Sequence, residues 1–393
     1  MHQNPTQQIF GKHLLKEFFL DESFLNINFG SYGSPPRCVV DKQRQYQEIM
    51  DRNTEKWFRY EIFPRLIELR GLIASYVKTS PENVVLIENA SDGANAILRS
   101  ILTKPKEKVL VFDLTYPMVR NTLSYLKDMF EIEIITVVLI REVLNSDEKI
   151  LAIAEDTIEK NGGKIKLAIY DHISSQPSLI FPVNALTQLF KKHGILTLVD
   201  GAHTVGQIPV DLNDIGPDFY FSNFHKWAFA PKCAAFLYVD KKYQDIIHPN
   251  IIGNKYKAGF IEEFSNTGTR DISAWLSIKD ALEFRNKFND DLIMEYNREL
   301  AWKVGMEVAK VWGTEVLIEK KERVGSMVNV RVPCEDKQII ETAIQKTLLE
   351  MNSFVVATAL NDGKFYARFS SQIFNEIEDF VRVAEFFLKA LRK

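Results

Sequence analysis

The chain has 393 residues, 46% of them hydrophobic, and nearly balanced charges, with 49 Lys and Arg against 52 Asp and Glu and a formal net charge of −3. Its length exceeds that of one ordinary small domain, and its hydrophobic content excludes a disordered chain. The near-neutral charge argues against a nucleic-acid-binding protein. Only three cysteines are present, which excludes a disulfide framework and a CxxC metal pair.

The N-terminal stretch has charged residues among its apolar ones and lacks the apolar core of a secretory signal. No part of the sequence approaches 18 uninterrupted apolar residues, so we expect no transmembrane helix. These features predict a cytoplasmic protein that has no membrane partner.

Residues from about 80 to 240 contain seven short, strongly apolar runs, several of them separated by helical patterns. Each run has the length and composition of a strand that is buried on both faces. The alternation predicts an α/β fold with a mainly parallel, doubly wound sheet. Ligands of such sheets bind beyond the carboxyl ends of the strands. The predicted strands begin near positions 84, 108, 131, 165, 195, 218 and 234.

The pattern changes at about residue 275. Long helical stretches continue to about 312, and strand-like runs near 326, 353 and 364 follow, flanked by helical segments at 336–350 and 375–391. This arrangement predicts a smaller α+β domain. We therefore divide the chain into an N-terminal segment (1–35), a large α/β domain (36–275) and a small C-terminal domain (276–393).

Polar residues follow several of the predicted strands. Asp200 ends the run near 195, and Lys226 comes 26 positions later, after the run near 218. Either residue alone also fits an ordinary solvated loop. Together they supply two requirements of a pyridoxal phosphate site, a carboxylate that keeps the pyridine nitrogen protonated and a lysine that forms a Schiff base with the aldehyde.

Two further features fit the same cofactor. A turn of small residues at 89–93 opens a helix, where backbone N–H groups favour a phosphate. Taken alone, these residues are better explained by an ordinary helix cap at Ser91 or Asp92. Tyr116 follows the strand near 108, where its ring can lie against a planar cofactor or pack against neighbouring side chains.

Four segments resemble the class-V aminotransferase family of fold-type-I pyridoxal phosphate enzymes. Within that family, the chain is similar to the branch that includes isopenicillin-N-epimerase-like proteins, cysteine-desulfhydrase-like proteins and hercynylcysteine sulfoxide lyase. The resemblance extends from about residue 24 to 376. The segments are INFGSYGSPP at 27–36, VDGAHTVGQIPVDL at 199–212, FSNFHKWAFAPKCAAFLYV at 221–239 and NTGTRDISAWLSIKDALEF at 266–284.

The resemblance implies pyridoxal 5'-phosphate as the cofactor and a role for each matching residue. Lys226 carries the cofactor and moves the Cα proton, Asp200 pairs with the pyridine nitrogen, and Tyr116 stacks on the ring. Arg368 binds the substrate carboxylate through a bidentate fork, and Asn28 lines the substrate side. The remaining implied cofactor contacts are Ala90, Ser91, Asp92, Asp171, Ser175, His203, Ser222, His225 and Thr269.

The family also implies a homodimer, in which Thr269 reaches the phosphate of the other subunit. Metal binding is not expected, because no HExxH pair or Cys/His cluster with zinc spacing occurs. We expect loops near 28–36, 55–65 and 250–266 to form the pocket walls. Residues 57–60 in one of these loops fit helical packing as well as they fit a pocket wall.

Two departures from the family concern cysteine. Cys233 stands where the family often has Gly, and we expect it to be a small buried residue. Cysteine desulfurases place a nucleophilic Cys shortly before the carboxylate-binding Arg, but residues 352–368 contain none. The sequence therefore argues against persulfide formation.

The resemblance to this branch, together with the missing desulfurase cysteine, favours β-elimination at a carbon–sulfur bond of cysteine or an S-substituted cysteine, including a cysteine sulfoxide such as hercynylcysteine sulfoxide. Elimination releases a sulfur product, pyruvate and ammonia. Epimerisation or racemisation, transamination, and a non-catalytic binding role are the alternatives. Epimerisation needs a second acid on the opposite face of the substrate, and the sequence does not identify one.

Overall fold

The computed structural model describes residues 9–161 and 164–392, so the first eight residues of the predicted N-terminal segment lie outside the described chain. Seven strands form the larger sheet: β1 (Val84–Ile87), β2 (Lys108–Phe112), β3 (Glu133–Val137), β4 (Ile165–Asp171), β5 (Leu196–Asp200), β6 (Phe219–Asn223) and β7 (Ala235–Val239). Their order is β1-β7-β6-β5-β4-β2-β3, and only β7 runs against its neighbours. The predicted fold class, a mainly parallel seven-stranded α/β sheet, is confirmed.

Both faces of this sheet are buried, which explains the continuous apolar runs in the sequence. In β1, Val84 and Leu86 belong to one hydrophobic cluster, while Val85 and Ile87 belong to a second cluster. Because side chains alternate along a strand, these two clusters lie on opposite faces of the sheet. The site at its strand ends is therefore built on a framework packed from both sides.

Helices α1 to α9 belong to the same part of the chain as the larger sheet. A π-helical turn, Trp57–Glu61, joins α2 to α3. Trp57 is buried there, and the Arg65 guanidinium lies 5.3 Å from the centre of its ring. The helices are α1 (Arg37–Arg52), α2 (Thr54–Lys56), α3 (Ile62–Tyr76), α4 (Ala90–Ile101), α5 (Pro117–Phe130), α6 (Asp147–Lys160), α7 (Val183–Lys192), α8 (Leu212–Ile215) and α9 (Phe260–Ser265).

The C-terminal part contains a small antiparallel sheet and several helices, which confirms the predicted α+β composition. Its strands are arranged in the order β8-β10-β9. Within residues 9–161 and 164–392, no helix has the length and apolarity needed to cross a membrane. The elements are α10 (Ser273–Lys287), α11 (Asp290–Trp312), β8 (Met327–Arg331), α12 (Lys337–Met351), β9 (Val356–Ala359), β10 (Phe365–Ser370) and α13 (Ile377–Ala390).

The N-terminal segment packs against this C-terminal part. Two isolated β-bridges join them, one between Leu25 and Ser353 and one between Asn28 and Ser370. The second bridge lies at the end of β10, the strand that carries Arg368. The segment around Leu25 and Asn28 therefore lies against the C-terminal part of the chain, next to the strand that carries Arg368.

Candidate active site

A cavity of about 380 Å³ opens at the carboxyl ends of the larger sheet. Strands β4, β5 and β6 each contribute residues from their ends, and the N-terminus of α4 contributes others. The structure brings together most of the residues that the sequence predicted. Those that line the cavity are Ala90, Ser91, Tyr116, Asp171, Ser175, Asp200, His203, His225 and Lys226.

Lys226 lies in the loop that follows β6, and its amine faces the cavity. The Nζ atom lies 3.0 Å from Nε2 of His203. Burial lowers the pKa of Lys226 to about 8, although the nearby carboxylate of Asp200 acts in the opposite direction. A substantial fraction of this amine is therefore neutral at slightly alkaline pH, which is the form that attacks an aldehyde.

Asp200 and Asp171 are a matched pair on neighbouring strands. The parallel register of β4 and β5 places them directly beside each other, and each side chain is almost fully buried. Oδ1 of Asp200 accepts a hydrogen bond from the Ala202 N–H at 2.9 Å. Burial raises the pKa of Asp200 to about 6, so the carboxylate is ionised at neutral pH.

Asp171 differs from its neighbour in charge. Burial, reinforced by the negative charge of Asp200, raises the pKa of Asp171 well above its usual range. Its Oδ2 atom is buried and has no hydrogen-bond partner in the part of the chain that the structure describes. Because two adjacent buried carboxylates resist ionising together, Asp171 keeps its proton and Asp200 carries the charge.

His203 stands between two side chains of the lysine loop. Its Nε2 faces Lys226, and its Nδ1 accepts a hydrogen bond from the indole N–H of Trp227 at 3.2 Å. Burial lowers the pKa of His203 well below its usual value, and the positive charges of Lys226, Arg368 and His225 lower it further. The imidazole is therefore neutral.

The N-terminus of α4 forms the end of the cavity that was predicted to hold a phosphate. Asn89 caps this helix, and its side-chain oxygen accepts a hydrogen bond from the N–H of Asp92 at 3.0 Å. The alternative interpretation, a cap formed by Ser91 or Asp92, is therefore wrong. His225 lies nearby. Burial lowers the pKa of His225 to about 4, and a phosphate dianion beside it would raise that pKa.

Three predicted phosphate or cofactor contacts, Asp92, Ser222 and Thr269, do not line the cavity. The Asp92 carboxylate accepts a hydrogen bond from the side-chain amide of Asn250 at 2.7 Å. The buried Ser222 hydroxyl donates to the backbone carbonyl of Gly201. The side chains of Asp92 and Ser222 hold the surrounding loops in place, and a direct contact with the cofactor stays a prediction for each.

Asn223 is a cavity residue that the sequence prediction missed. Its side-chain oxygen accepts a hydrogen bond from the backbone N–H of Ala90 at 2.9 Å. It therefore ties the end of β6 to the first turn of α4. Asn223 lies between two predicted contacts, Ser222 and His225, and this position could have indicated a cavity residue from the sequence alone.

Arg368 is almost fully buried beside the cavity, and it has no carboxylate partner among residues 9–161 and 164–392. Nη1 donates to the carbonyl and the hydroxyl of Ser175, both at 3.0 Å. Nη2 donates to Oδ1 of Asn28 at 2.8 Å and to the hydroxyl of Ser31 at 2.9 Å. Burial lowers the pKa of Arg368 to about 10, which still leaves it charged at neutral pH.

A buried guanidinium that is held only by neutral groups is prepared to accept an anion, because no resident carboxylate has to be displaced. Its Nε also lacks a partner. The two predicted substrate residues, Asn28 and Arg368, are thus brought together. Ser31, which both lines the cavity and contacts Arg368, was not predicted individually, although it belongs to the matching segment at 27–36.

Tyr116 stands at the edge of the cavity, directly before α5, and its side chain is half-exposed. This position leaves the ring free to contact a ligand. Of the three predicted pocket-wall loops, only 28–36 contributes to the lining, through Ser31 and Tyr32. The 55–65 loop instead packs as a helix around Trp57.

Thr269 is exposed and does not line the cavity of its own chain. Its neighbour Arg270 pairs with Glu88 at 3.3 Å, beside the turn that leads into α4. The role of Thr269 in the phosphate site of a second subunit therefore stays a prediction.

None of the cysteines lines the cavity. Cys233 is exposed, so the prediction that it is buried is wrong. It occupies a turn before β7 with φ +67°, a left-handed conformation that favours Gly, and its side chain is directed outward. Within the described ranges 9–161 and 164–392, no group of three or more His, Cys, Asp or Glu is arranged to hold a metal ion.

The residues of the cavity fit pyridoxal 5'-phosphate. Lys226 offers an amine with a lowered pKa, and Asp200 offers a buried carboxylate. A helix N-terminus borders the same space, and the unpartnered Oδ2 of Asp171 lies beside it. These groups match the aldehyde, the pyridine nitrogen, the phosphate and the polar ring substituent of that molecule.

Comparison with known proteins agrees with this fit. The model of the family "Aminotransferase class-V" matches residues 34–379, and the chain belongs to that family, as the sequence resemblance predicted. The probable L-cysteine desulfhydrase, chloroplastic, of Arabidopsis thaliana is 29% identical over 93% of this chain and 82% of its own length. The hercynylcysteine sulfoxide lyase of Schizosaccharomyces pombe is 26% identical over 96% of this chain and 97% of its own.

Solved structures share the fold at lower identity. One of them is a mutant of C-DES with glycine covalently linked to the PLP cofactor. It superposes with a TM-score of 0.80 and 17% identity, covering 93% of this chain and 96% of that one. At this identity the likeness shows the fold alone.

Proposed function

We propose that this class-V aminotransferase family member is a carbon–sulfur lyase that acts on L-cysteine or an S-substituted cysteine and releases a sulfur product, pyruvate and ammonia. The chain is an enzyme, and its cofactor is pyridoxal 5'-phosphate, as the sequence predicted. The observation that carries the proposal is the buried Arg368, held by neutral groups alone beside the cavity that contains Lys226.

The cofactor, when bound, supplies an electron sink that makes the Cα–H bond of an amino acid acidic. Lys226 would attach it, and Asp200 would keep the pyridine nitrogen protonated because its carboxylate is ionised at neutral pH. Asp171, as a neutral acid, would donate a hydrogen bond from the edge of the site. Asn223 and the first turn of α4 would hold the phosphate, with His225 beside them.

Arg368 would bind the α-carboxylate of the substrate through its guanidinium. Asn28, Ser31 and Ser175 fix the orientation of that group with four hydrogen bonds. A substrate held in this way would present its Cα–H to the cavity that Lys226 lines, where Lys226 would act as the base. Once the substrate amine has displaced Lys226 from the cofactor, the free amine of Lys226 would accept the proton, and its lowered pKa favours the neutral form that this requires.

Elimination is favoured over persulfide transfer because no cysteine lines the cavity. Two relatives whose names denote the removal of sulfur from cysteine or from a cysteine sulfoxide support the same reaction class. The choice among cysteine, S-alkylcysteines and sulfoxides such as hercynylcysteine sulfoxide belongs to the proposal.

The direct test measures pyruvate. Protein reconstituted with pyridoxal 5'-phosphate is incubated separately with L-cysteine, S-methyl-L-cysteine and S-methyl-L-cysteine sulfoxide, with Lys226→Ala as the control for background decomposition. We expect pyruvate and a sulfur product with at least one of them. Hercynylcysteine sulfoxide is tested in the same way, and an absence of pyruvate from all four compounds would contradict a lyase.

The same samples distinguish the alternative reactions. Exchange of the Cα proton in deuterated water with inversion, but without pyruvate, would favour epimerisation. Consumption of a keto acid would favour transamination. A protein that forms no absorbance band near about 420 nm with added cofactor would instead be a binding protein without Schiff-base chemistry.

The proposal includes a homodimer, with the exposed Thr269 completing the phosphate site of the second subunit, and a cytoplasmic location. Mixing inactive Lys226→Ala subunits with Thr269→Ala subunits tests the shared site. In a mixed dimer, one site combines the intact Lys226 of one subunit with the intact Thr269 of the other. We expect partial recovery of pyruvate formation, and additive residual rates would argue against a shared site.

A further inference from the structure

Three side chains form a hydrogen-bonded chain that ends at the reactive lysine. The indole N–H of Trp227 lies 3.2 Å from Nδ1 of His203, and Nε2 of His203 lies 3.0 Å from Nζ of Lys226. Trp227 and Lys226 are adjacent in sequence, while His203 comes from the loop after β5. The side chains of Trp227 and His203 are buried.

The chemistry of the indole decides which atoms donate and which accept along this series of three side chains. An indole N–H only donates, so Nδ1 of His203 must offer a lone pair and carry no proton. A neutral imidazole then has its proton on Nε2, the nitrogen that faces Lys226. The tautomer of His203 is thus decided by Trp227, on the side of the ring away from the cavity.

The state of the lysine follows from this tautomer. A proton on Nε2 can be donated to Nζ only if Nζ offers a lone pair, which a neutral amine has and an ammonium lacks. An ammonium would instead place its own N–H groups against the N–H of the imidazole. Both hydrogen bonds of the chain are satisfied together only when Lys226 is neutral.

We propose that Trp227 is a positioning residue that acts through His203 to hold Lys226 as the neutral amine. This inference rests on the proposed role of Lys226 in cofactor attachment. In that step, the Nζ lone pair attacks the aldehyde carbon, a C=N bond forms, and the aldehyde oxygen leaves as water with both protons of the amine. An ammonium has no lone pair and must first lose a proton.

Trp227 is rigidly held, as a positioning residue requires. Its carbonyl accepts a hydrogen bond from Nη1 of the buried Arg285 at 2.7 Å. Its ring lies 6.0 Å, centre to centre, from the ring of Phe29. A Cβ atom added to Gly30 would come within 2.8 Å of the Trp227 ring, so the backbone there packs directly against the indole.

Other charged groups also act on the lysine and the imidazole. Asp171 and Asp200 come from the ends of β4 and β5, Arg368 comes from β10, and His225 precedes Lys226. None of these is altered when Trp227 loses its N–H. A change caused by Trp227→Phe can therefore be assigned to the hydrogen-bonded chain.

The experiment measures how fast the apoprotein attaches pyridoxal 5'-phosphate, from the rise of the absorbance band near about 420 nm, across a range of pH. In Trp227→Phe, we expect the midpoint of the pH profile to rise by about half a pH unit to one unit, since one hydrogen bond is lost. At pH 7 this is about a 3- to 10-fold slower attachment, with an unchanged rate at high pH.

Two variants serve as controls. Trp312→Phe also removes a buried indole hydrogen bond, to the carbonyl of Ala384, but does not touch His203, and its profile should match the wild type. With His203→Gln as the background, Trp227→Phe should cause no additional shift. A Trp227→Phe profile that superimposes on the wild type, or a rate that falls equally at every pH, would overturn the inference.

A measurement on the unaltered sequence covers the case in which Trp227→Phe does not fold. Nitrogen-15 NMR of histidine-labelled apoprotein reports which ring nitrogen carries the proton, with His203→Gln identifying the signal. We expect the Nε2–H tautomer, and the Nδ1–H tautomer would overturn the inference. If the wild type never forms the absorbance band, the proposed function fails, which is a different result from an unshifted variant.

Discussion

The two sides of the cavity are assembled from very different parts of the chain. The cofactor side consists of residues at the ends of three neighbouring strands, namely Asp171, Asp200 and Lys226. The arginine side consists of Ser31, which lines the cavity, and of Asn28 and Arg368, which lie behind that lining and come from the two ends of the sequence. Asn28 and Arg368 are 340 positions apart and are joined by a hydrogen bond of 2.8 Å.

The electrostatics of the two sides also differ. The cofactor side places two acids beside one lysine. Burial raises the pKa of both acids and lowers the pKa of the lysine, so it favours the neutral form of each group. The arginine side contains one permanent charge and only neutral partners. The first side is suited to moving protons and the second to binding a carboxylate, so variants on the two sides should fail in different ways.

Lys226→Ala should have the largest effect. It removes the only amine proposed to attach the cofactor and accept the Cα proton, so we expect the band near about 420 nm to disappear and pyruvate formation to fall about 100- to 10,000-fold. Lys232→Ala is the matched control, because Lys232 lies in the same loop but binds the carbonyl of Gly33. A retained band in Lys226→Ala would contradict the proposal that Lys226 attaches the cofactor.

Arg368→Gln should lower kcat/KM about 10- to 1000-fold, mostly through KM, while the absorbance band remains. The expected loss reflects the charge-assisted hydrogen bonds that the guanidinium would make to the substrate carboxylate, through its free Nε–H and through Nη–H groups released from their neutral partners. Arg331→Gln, on the neighbouring strand of the same small sheet, is the control. If folded Arg368→Gln lost the band, Arg368 would also be needed for cofactor attachment, and the two sides would not have separate functions.

Asp200→Asn should stabilise the apoprotein above pH 6. Because the folded-state pKa of Asp200 is raised from 3.8 to about 6, its ionisation costs stability as pH rises through that interval. The difference in unfolding free energy between Asp200→Asn and the wild type should therefore grow from about pH 4 to 6 and then level off, at up to about 3 kcal/mol.

Thermal unfolding of both apoproteins across pH measures this difference. Asp171→Asn provides the comparison at the paired position. Because Asp171 keeps its proton at neutral pH, its replacement by a neutral amide should leave stability nearly unchanged over the same interval. Equal profiles for the two variants would mean that the charge is not confined to Asp200.

Ser31→Ala should have the smallest effect. It removes one of the four hydrogen bonds to the Arg368 guanidinium and leaves the contacts with Asn28 and Ser175. We expect KM to rise about 3- to 10-fold with kcat and the cofactor spectrum unchanged. Ser34→Ala in the same loop is the control. If the two variants had the same KM, Ser31 would not contribute to substrate binding by Arg368.

The fold was largely predictable because parallel strands buried on both faces leave an unmistakable apolar pattern. All seven strands of the larger sheet lie where the sequence predicted them. The exact cap of α4 was not predicted, since Asn89, Ser91 and Asp92 are all favourable capping residues and only the backbone conformation distinguishes them. Cys233 was placed wrongly because an exposed left-handed turn resembles a buried small-residue position in sequence.

The sequence by itself determined the sheet and the cofactor side, because strands that run in the same direction must bring their final residues to one edge. It did not determine which acid keeps its proton, which nitrogen of His203 carries hydrogen, or what holds Arg368. Those properties depend on burial and on hydrogen bonds of about 3 Å between distant segments. Only tertiary packing sets such distances, so only the structure decided them.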